Sequence, residues 1–221
     1  MKIINITLIV FFSFLHIPSL ISQEFIQTKK IDSVYFSLHL DSLKLKYAFN
    51  KRIPDTYSLP ILITLSYFPE LSQTKIIFRN TNIKTTLNVR PTTLSVLFKN
   101  RLNRKYIIRI NSMYKDSLIN LKDVPFNASI GLFGHEFNHI IDYRNSNVLQ
   151  IIKRLVEYSN NKKKAEYERQ VDYMTINRGL GWQLYDWSYF VLYKSMADKN
   201  YKNYKRSYYL SPNEIIGIIQ R

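Results

Sequence analysis

The chain has 221 residues and no cysteine, and its 32 Lys and Arg residues against 16 Asp and Glu give a formal net charge of +16 at pH 7. Hydrophobic residues make up 46% of the sequence, which suffices for a folded core and excludes a wholly disordered chain. The absence of cysteine excludes disulfides, cysteine-ligated zinc, iron–sulfur clusters and thiol catalysis. The basic charge accompanies an abundance of residues with AT-rich codons, so we expect no nucleic-acid partner.

The N-terminus has the pattern of a secretory signal peptide, which we assign to residues 1–22. Lys2 supplies the basic region, the run from Ile3 to Leu15 is almost entirely apolar, and the small Ser22 precedes the predicted cleavage point. We therefore expect a protein that is exported across the inner membrane and resides in the periplasm or outside the cell. The alternative is an uncleaved N-terminal membrane anchor, although the apolar run is short for a full span.

Residues 23–221 are predicted to form one domain. A buried helix is expected at 57–68, and short runs rich in β-branched and aromatic residues predict strands at 75–79, 84–90 and 105–111. Most of the sequence after these strands follows helical spacing. A set of strands followed by a set of helices is typical of an α+β domain with a small N-terminal sheet, rather than of a doubly wound α/β domain.

The domain has its expected core at residues 55–190 and a basic, aromatic C-terminal extension at 191–221. Within this extension, residues 199–206 (KNYKNYKR) alternate Lys and Arg with Tyr and Asn. We interpret this segment as a solvated, mobile connection, and the alternative is a weak association with an anionic membrane surface. Ser211 and Glu214 have the spacing of a capping box and predict a short final helix.

The central motif is HExxH, formed by His135, Glu136 and His139. On a helix, residues that are four apart lie on one face, so both imidazoles can bind one ion. Glu136 can reach a metal-bound water and act as the general base. Apolar residues at helical spacing on both sides of the motif predict that this helix is buried. The alternative interpretation is a pair of surface histidines on an amphipathic helix.

The third metal ligand is predicted to be a carboxylate. A histidine ten residues after His135 would define a metzincin, but that residue is Asn145. Glu168 is favoured because Asp172 lies four residues later, on the same helical face. A bound cation would relieve the repulsion between these two groups, with Glu168 as the ligand and Asp172 orienting a ligand imidazole. Less favoured ligands remain open: His39, Glu157 and Glu166.

Asp142 is a further carboxylate on the motif helix, seven residues after His135 and three after His139. A third ligand at this spacing would lie about two turns, roughly 10.5 Å, from the first ligand on the same helix, which strains the coordination geometry. We therefore interpret Asp142 as a hydrogen-bond acceptor for a histidine N–H, or as a helix-end partner for Arg144.

The HExxH motif and the E-x-x-x-D pattern that begins at Glu168 together resemble the gluzincin group of zinc metallopeptidases. The wider stretch of residues 67–187 is similar to a family of small secreted bacterial proteins of the Bacteroidetes type, to which no function is assigned. The resemblance implies a zincin-like domain, in which an edge strand lies above the active-site helix and a ligand helix follows. It implies a Zn²⁺ cofactor held by His135, His139 and Glu168, with Glu136 as the catalytic base.

A peptidase of this type would act on a peptide or protein substrate, which zincins hold in extended form along an edge strand. The predicted strand 105–111 lies just upstream of the motif and is the expected edge strand, with substrate contacts at Ile107, Ile108, Arg109 and Ile110. A donor to the oxyanion is also expected, from one of Tyr143, Tyr173, Arg178 and Tyr185. The alternative function is a secreted, non-catalytic binding protein in which the metal serves as a structural pin.

Overall fold

The computed structural model describes residues 26–113 and 117–221, so the predicted signal peptide lies outside the described residues. The described chain is mixed α and β, which confirms the α+β class. Its α-helices are, in chain order, α1 (Ser33–Ser37), α2 (Leu40–Tyr47), α3 (Ser58–Ser66), α4 (Thr93–Phe98), α5 (Phe126–Asn145), α6 (Val148–Glu157), α7 (Asn161–Thr175), α8 (Gly181–Tyr189), α9 (Lys199–Tyr208) and α10 (Pro212–Ile219). No helix in these two ranges is both long enough and apolar enough to cross a bilayer.

Four strands form one small sheet among the described residues: β1 (Lys51–Arg52), β2 (Lys75–Thr81), β3 (Leu87–Pro91) and β4 (Lys105–Asn111). Their spatial order is β1-β2-β4-β3. β2 pairs in parallel with both β1 and β4, whereas β3 pairs with β4 in antiparallel orientation. β4 is therefore an inner strand, and β3 forms the edge of the sheet on that side.

The prediction that residues 105–111 form the edge strand was wrong. Both sides of β4 pair with other strands, and its alternate residues Tyr106, Ile108 and Ile110 are buried. The alternation in β4 indicates only that one of its faces is buried, and the order of strands along the chain does not reveal which strands pair with it in space. The backbones of all four predicted substrate contacts pair with β2 and β3 instead: Ile107, Ile108, Arg109 and Ile110.

α5 carries the HExxH motif and packs against one face of the sheet. Phe133 and Phe137, one helical turn apart, contact Phe78 of β2 edge to face, with ring centroids 6.0 and 6.4 Å apart. Phe68, which follows α3, contacts Phe137 at 5.4 Å between centroids. All four rings are buried, and the burial of such a side chain contributes about 1.5–3 kcal/mol to stability. This aromatic core fixes the motif helix relative to the sheet.

The other side of α5 is crossed closely by α8. A Cβ atom at Gly131 would overlap the backbone of Gln183 in α8, so glycine is what permits this approach. α7 also packs against α5, and it ends in a π-helical turn at Ile176–Leu180. Within that turn Gly179 has a φ of 83°, a conformation that glycine adopts without strain, and the chain turns there into α8.

The C-terminal extension is helical where a mobile connection was expected. Residues 199–206 lie in α9, which packs against α7, so that prediction was wrong. Tyr201 is buried, and the ammonium group of Lys164 from α7 lies over the rings of Tyr204 and Tyr208, at 4.7 and 4.6 Å from their centroids. These cation–π contacts join the two helices, which explains why the alternating Lys and Tyr pattern is ordered. The predicted capping box at the start of α10 is present.

Candidate metal centre

Three potential metal ligands converge in the structure: His135 and His139 from α5 and Glu168 from α7. The Nε2 atoms of the two histidines lie 3.0 Å apart. Oε2 of Glu168 lies 3.1 Å from Nε2 of His135 and 3.5 Å from Nε2 of His139. All three side chains are buried. The structure therefore brings together the same three residues that the spacing of the sequence selects.

The donor atoms fit a tetrahedral metal ion. Zinc binds imidazole nitrogen and carboxylate oxygen at about 2.0–2.2 Å, which separates neighbouring ligand atoms by about 3.3–3.5 Å. The three separations of 3.0, 3.1 and 3.5 Å lie close to this spacing. Three protein ligands also leave one tetrahedral position for a water or a substrate, as catalytic zinc sites require.

The remaining candidate ligands lie elsewhere. His39 is exposed beside α2, where its Nδ1 lies 2.8 Å from the carbonyl oxygen of Tyr35. Glu157 ends α6 and lies 3.5 Å from the ammonium group of Lys163. Glu166 is exposed on α7, because residues two apart on a helix point in nearly opposite directions.

Asp172 orients the first histidine. Its Oδ1 lies 2.8 Å from Nδ1 of His135, and its Oδ2 accepts a hydrogen bond of 2.9 Å from the backbone N–H of Leu210. An ionised carboxylate only accepts hydrogen bonds, so Nδ1 donates to Asp172 and Nε2 is the nitrogen that faces the other two donor atoms. Burial alone would lower the pKa of His135, but its contacts with Asp172 and Glu168 outweigh the burial and raise the pKa to about 10. A metal ion that binds Nε2 would therefore displace the proton that this nitrogen carries in the metal-free protein.

The second histidine is oriented through a tyrosine. Nδ1 of His139 lies 3.2 Å from the hydroxyl of Tyr167, and this hydroxyl donates a hydrogen bond of 2.9 Å to Oδ2 of Asp142. Because the Tyr167 hydrogen is directed to Asp142, its oxygen accepts from the Nδ1–H of His139. Arg154 of α6 pairs with the same Asp142 oxygen and lies over the Tyr167 ring. The Nε2 lone pair of His139 is again left for a metal ion.

Both parts of the interpretation of Asp142 therefore need correction. Asp142 accepts no direct hydrogen bond from His139, because the Tyr167 hydroxyl lies between the two side chains. Its ionic partner is Arg154, whereas Arg144 contacts the hydroxyl of Thr74. A sequence reading confined to the motif helix cannot include these partners, since Tyr167 and Arg154 come from the two helices that follow.

Glu168 is held as an ionised carboxylate. Burial alone would raise its pKa, but its contacts with His135 and His139 outweigh the burial and bring the pKa well below the usual range. Its second oxygen, Oε1, accepts a hydrogen bond from the hydroxyl of Tyr158. Burial, followed by the charge of Glu168, raises the pKa of that tyrosine, so its hydroxyl remains a donor at neutral pH.

Glu136 lies beside the three donor atoms and lines the same cavity. Its side chain is buried, and burial raises its pKa in spite of the opposing influence of His139 and His135. A general base works best when its pKa lies near the operating pH, so this upward shift suits a carboxylate that must take up and return a proton.

A cavity of about 220 Å³ opens onto these groups. One wall is β3, which contributes the consecutive residues Leu87, Asn88, Val89 and Arg90. The opposite wall is rich in aromatic and basic side chains, and it consists of Tyr143, Leu155, Tyr158, Lys164, Tyr204 and Tyr209. The edge strand beside the site is therefore β3 and not β4.

Of the four predicted oxyanion donors, only Tyr143 lines this cavity. Tyr173 points away from the site and is exposed on α7. Arg178 donates hydrogen bonds of 3.1 Å to the side chain of Asn138 and to the backbone carbonyl of Tyr67, so it joins the π-helical turn after α7 to α5 and to the end of α3. Tyr185 stacks on Tyr189 along α8, with centroids 5.8 Å apart.

Sequence reasoning missed the tyrosines of the site. Tyr158 and Tyr167 contact the candidate ligands Glu168 and His139, and the partly buried ring of Tyr209 lies 5.5 Å from the His135 ring. Burial, followed by the charge of Glu168, raises the pKa of Tyr209 well above its usual value, so it too remains protonated. The sequence did offer one signal for these residues, which is the frequency of tyrosine from residue 158 onward. A tyrosine hydroxyl can donate a hydrogen bond to a buried carboxylate.

Comparison of the chain with models of protein families, with curated proteins and with solved structures found no match. A function for this protein must therefore be inferred from the geometry and chemistry of its own residues. The groups that matter most are the three converging donor atoms, the neighbouring carboxylate and the cavity that they share.

Proposed function

We propose that this protein is a zinc-dependent metallopeptidase of the gluzincin type, exported under the direction of its predicted signal peptide. The observation that carries the proposal is the convergence of His135, His139 and Glu168, with Glu136 beside them in an accessible cavity. HExxH with a carboxylate from a later helix is the donor set of a catalytic zinc site with an open position. Zinc in that site would acidify a bound water and polarise the scissile carbonyl.

The residues of the chain have separate tasks in this proposal. Glu136 takes the proton of the attacking water and returns it to the leaving amine, for which its raised pKa is suited. Asp172 and Tyr167 keep the two ligand imidazoles in the tautomer that presents Nε2. Tyr143 or Tyr209 donates to the developing oxyanion, because both line the cavity and both stay protonated.

β3 is the strand that would hold the substrate. It borders the cavity, and in the described part of the chain its second edge pairs with no strand. An extended peptide can add to such an edge through backbone hydrogen bonds. This assignment replaces the one made from the sequence, where β4 was expected to have that role.

The test is a comparison of the wild-type protein with Glu136→Gln. We expect the purified protein to hold one zinc ion, by mass spectrometry of the metal content, and to cleave an unstructured protein such as casein. Glu136→Gln should retain the zinc and lower kcat by about 10²–10⁴-fold, because the proton acceptor is lost while the ligands are intact. Glu166→Gln is the matched control, since this carboxylate is exposed and should change neither property.

Two results would contradict the proposal. A protein that holds iron instead of zinc and does not hydrolyse peptides would point to a different chemistry of the same donor set. A protein that holds zinc but cleaves no member of a diverse peptide library, and that is unaffected by Glu136→Gln, would favour the non-catalytic binding protein.

In an active peptidase, Tyr143→Phe and Tyr209→Phe identify the oxyanion donor, because loss of the donor should lower kcat by about 10²–10³-fold.

A further inference from the structure

A second feature of the molecule lies next to the cavity, on α4 and α6. On α4, Leu94, Leu97 and Phe98 are 71%, 58% and 79% exposed. Four side chains of α6 are similarly exposed, at 76%, 51%, 58% and 67%: Leu149, Ile152, Leu155 and Val156. We refer to these seven side chains as the α4–α6 surface.

The two helices present a single surface. Val96 and Leu97 of α4 and Ile151 and Ile152 of α6 line a common apolar groove of about 260 Å³. α6 buries only one of its residues, Ile151, although its sequence has a strongly apolar side. Exposed apolar patches of this kind on a folded chain mark a site of association with another apolar surface.

The surroundings of this surface are basic. Residues 71–113, which include α4, contain nine Lys or Arg residues, of which Arg104 is buried, and no Asp or Glu. Lys99 follows α4 and is exposed, and Lys153 of α6 is 75% exposed at its side chain. The single acidic residue of α6 is Glu157, whose carboxylate lies 3.9 Å from the ammonium group of Lys153. The α4–α6 surface therefore combines protruding apolar side chains with a positive rim.

We propose that the α4–α6 surface docks on a lipid bilayer that contains anionic lipids. Leucine, isoleucine, valine and phenylalanine side chains on short helices can enter the boundary between headgroups and acyl chains, while surrounding Lys and Arg contact anionic headgroups. A nucleic acid would match the charge but would leave the seven apolar side chains in water. The complementarity of both features therefore favours an anionic membrane.

Docking in this way would bring the cavity close to the bilayer. Arg90, Tyr143 and Leu155 line both the α4–α6 groove and the cavity of the candidate metal centre. The segment 199–206, for which a membrane association was the alternative interpretation, is a poorer candidate. Its Lys205 lies over the ring of Tyr209 at 3.7 Å from the centroid, so its charge is directed to the protein itself.

The test is partitioning of the full chain onto vesicles of phosphatidylcholine that contain phosphatidylglycerol. The double variant Phe98→Ser/Leu149→Ser should partition at least about tenfold less than the wild type, because two large apolar side chains no longer enter the membrane. Leu38→Ser/Leu45→Ser is the matched control, since these leucines are 80% and 89% exposed on the α1–α2 segment. This control should partition like the wild type. All three proteins carry the same apolar N-terminal sequence, so its contribution to partitioning is the same in each.

Charge and location are tested separately. Lys99→Glu should weaken partitioning by about fivefold or more, whereas Lys199→Glu on α9, with the same change of net charge, should have little effect. Tryptophan fluorescence of Phe98→Trp should shift to shorter wavelength on addition of vesicles, and that of Leu45→Trp should not.

Two outcomes would overturn the proposal. One is equal partitioning of the two double variants. The other is a wild-type dimer in solution that Phe98→Ser/Leu149→Ser converts into a monomer, because the surface would then be occupied by a second copy. Neither outcome depends on the proposed peptidase activity.

Discussion

α6 and α7 follow one another in the chain, yet they bury opposite kinds of side chain. α7 is the more polar helix, and its buried residues include Glu168 and Asp172, at 4% and 2% exposure. α6 has a strongly apolar side, and only its Ile151 is buried. From hydrophobicity alone, the apolar side chains of α6 would be expected in the core and the carboxylates of α7 at the surface.

The difference lies in the partners that each side chain finds. Buried carboxylates are costly unless they are paired, and those of α7 contact two histidines, a tyrosine hydroxyl and a backbone N–H. The exposed apolar side chains of α6 find no such complement in the described part of the protein beyond the groove with α4. This difference agrees with the two proposals, in which α7 contributes a metal ligand and α6 binds an apolar surface outside the protein.

The largest expected effect is the loss of metal on removal of the α7 ligand. Glu168→Ala should lower zinc affinity by more than the roughly 10–100-fold that the loss of a ligand's hydrogen-bond partner costs, because a direct ligand is removed. Isothermal titration with zinc measures this, with Glu166→Ala on the same helix as the control. Zinc affinity of Glu168→Ala equal to that of the control would exclude α7 from the site.

Two neighbouring residues of α6 test whether its apolar side faces outward. Ile151→Ala should lower the free energy of unfolding by about 2–5 kcal/mol, because Ile151 is buried and a cavity results. Ile152→Ala should change it by no more than about 0.5 kcal/mol, since this side chain is 51% exposed. Urea unfolding of both variants gives the comparison, and equal losses of stability would mean that α6 packs differently.

A smaller effect is expected for the residue that orients His135. Asp172→Asn should lower zinc affinity by about 10–100-fold without removing the site, because the amide keeps the size of the side chain but loses its charge. Competition with a chelator of known affinity measures the change. Affinity within about twofold of the wild type would show that the contact between Asp172 and Nδ1 of His135 is not needed to orient the imidazole.

The convergence of the candidate ligands could be predicted because the decisive information is local. His135 and His139, like Glu168 and Asp172, are pairs separated by four residues, and helical geometry alone puts each pair on one face. The class of fold followed in the same way from the periodicity of short segments.

The edge strand and the tyrosines could not be predicted, because they depend on contacts between distant segments. β4 became an inner strand through simultaneous pairing with β2 and β3, which hydrophobic pattern does not encode. Tyr209 reaches His135 from the connection between α9 and α10, where its position depends on how α9 packs against α7. The alternation of Lys and Tyr in α9 was visible, but the partner that orders it, Lys164, lies on another helix.

The most direct test of the metal centre is anomalous diffraction at the zinc edge from crystals of the zinc-loaded protein. We predict one strong peak within about 2.0–2.2 Å of Nε2 of His135, Nε2 of His139 and Oε2 of Glu168, with a fourth position open to the cavity. No peak at these atoms, or a peak that Glu168 does not reach, would contradict the account.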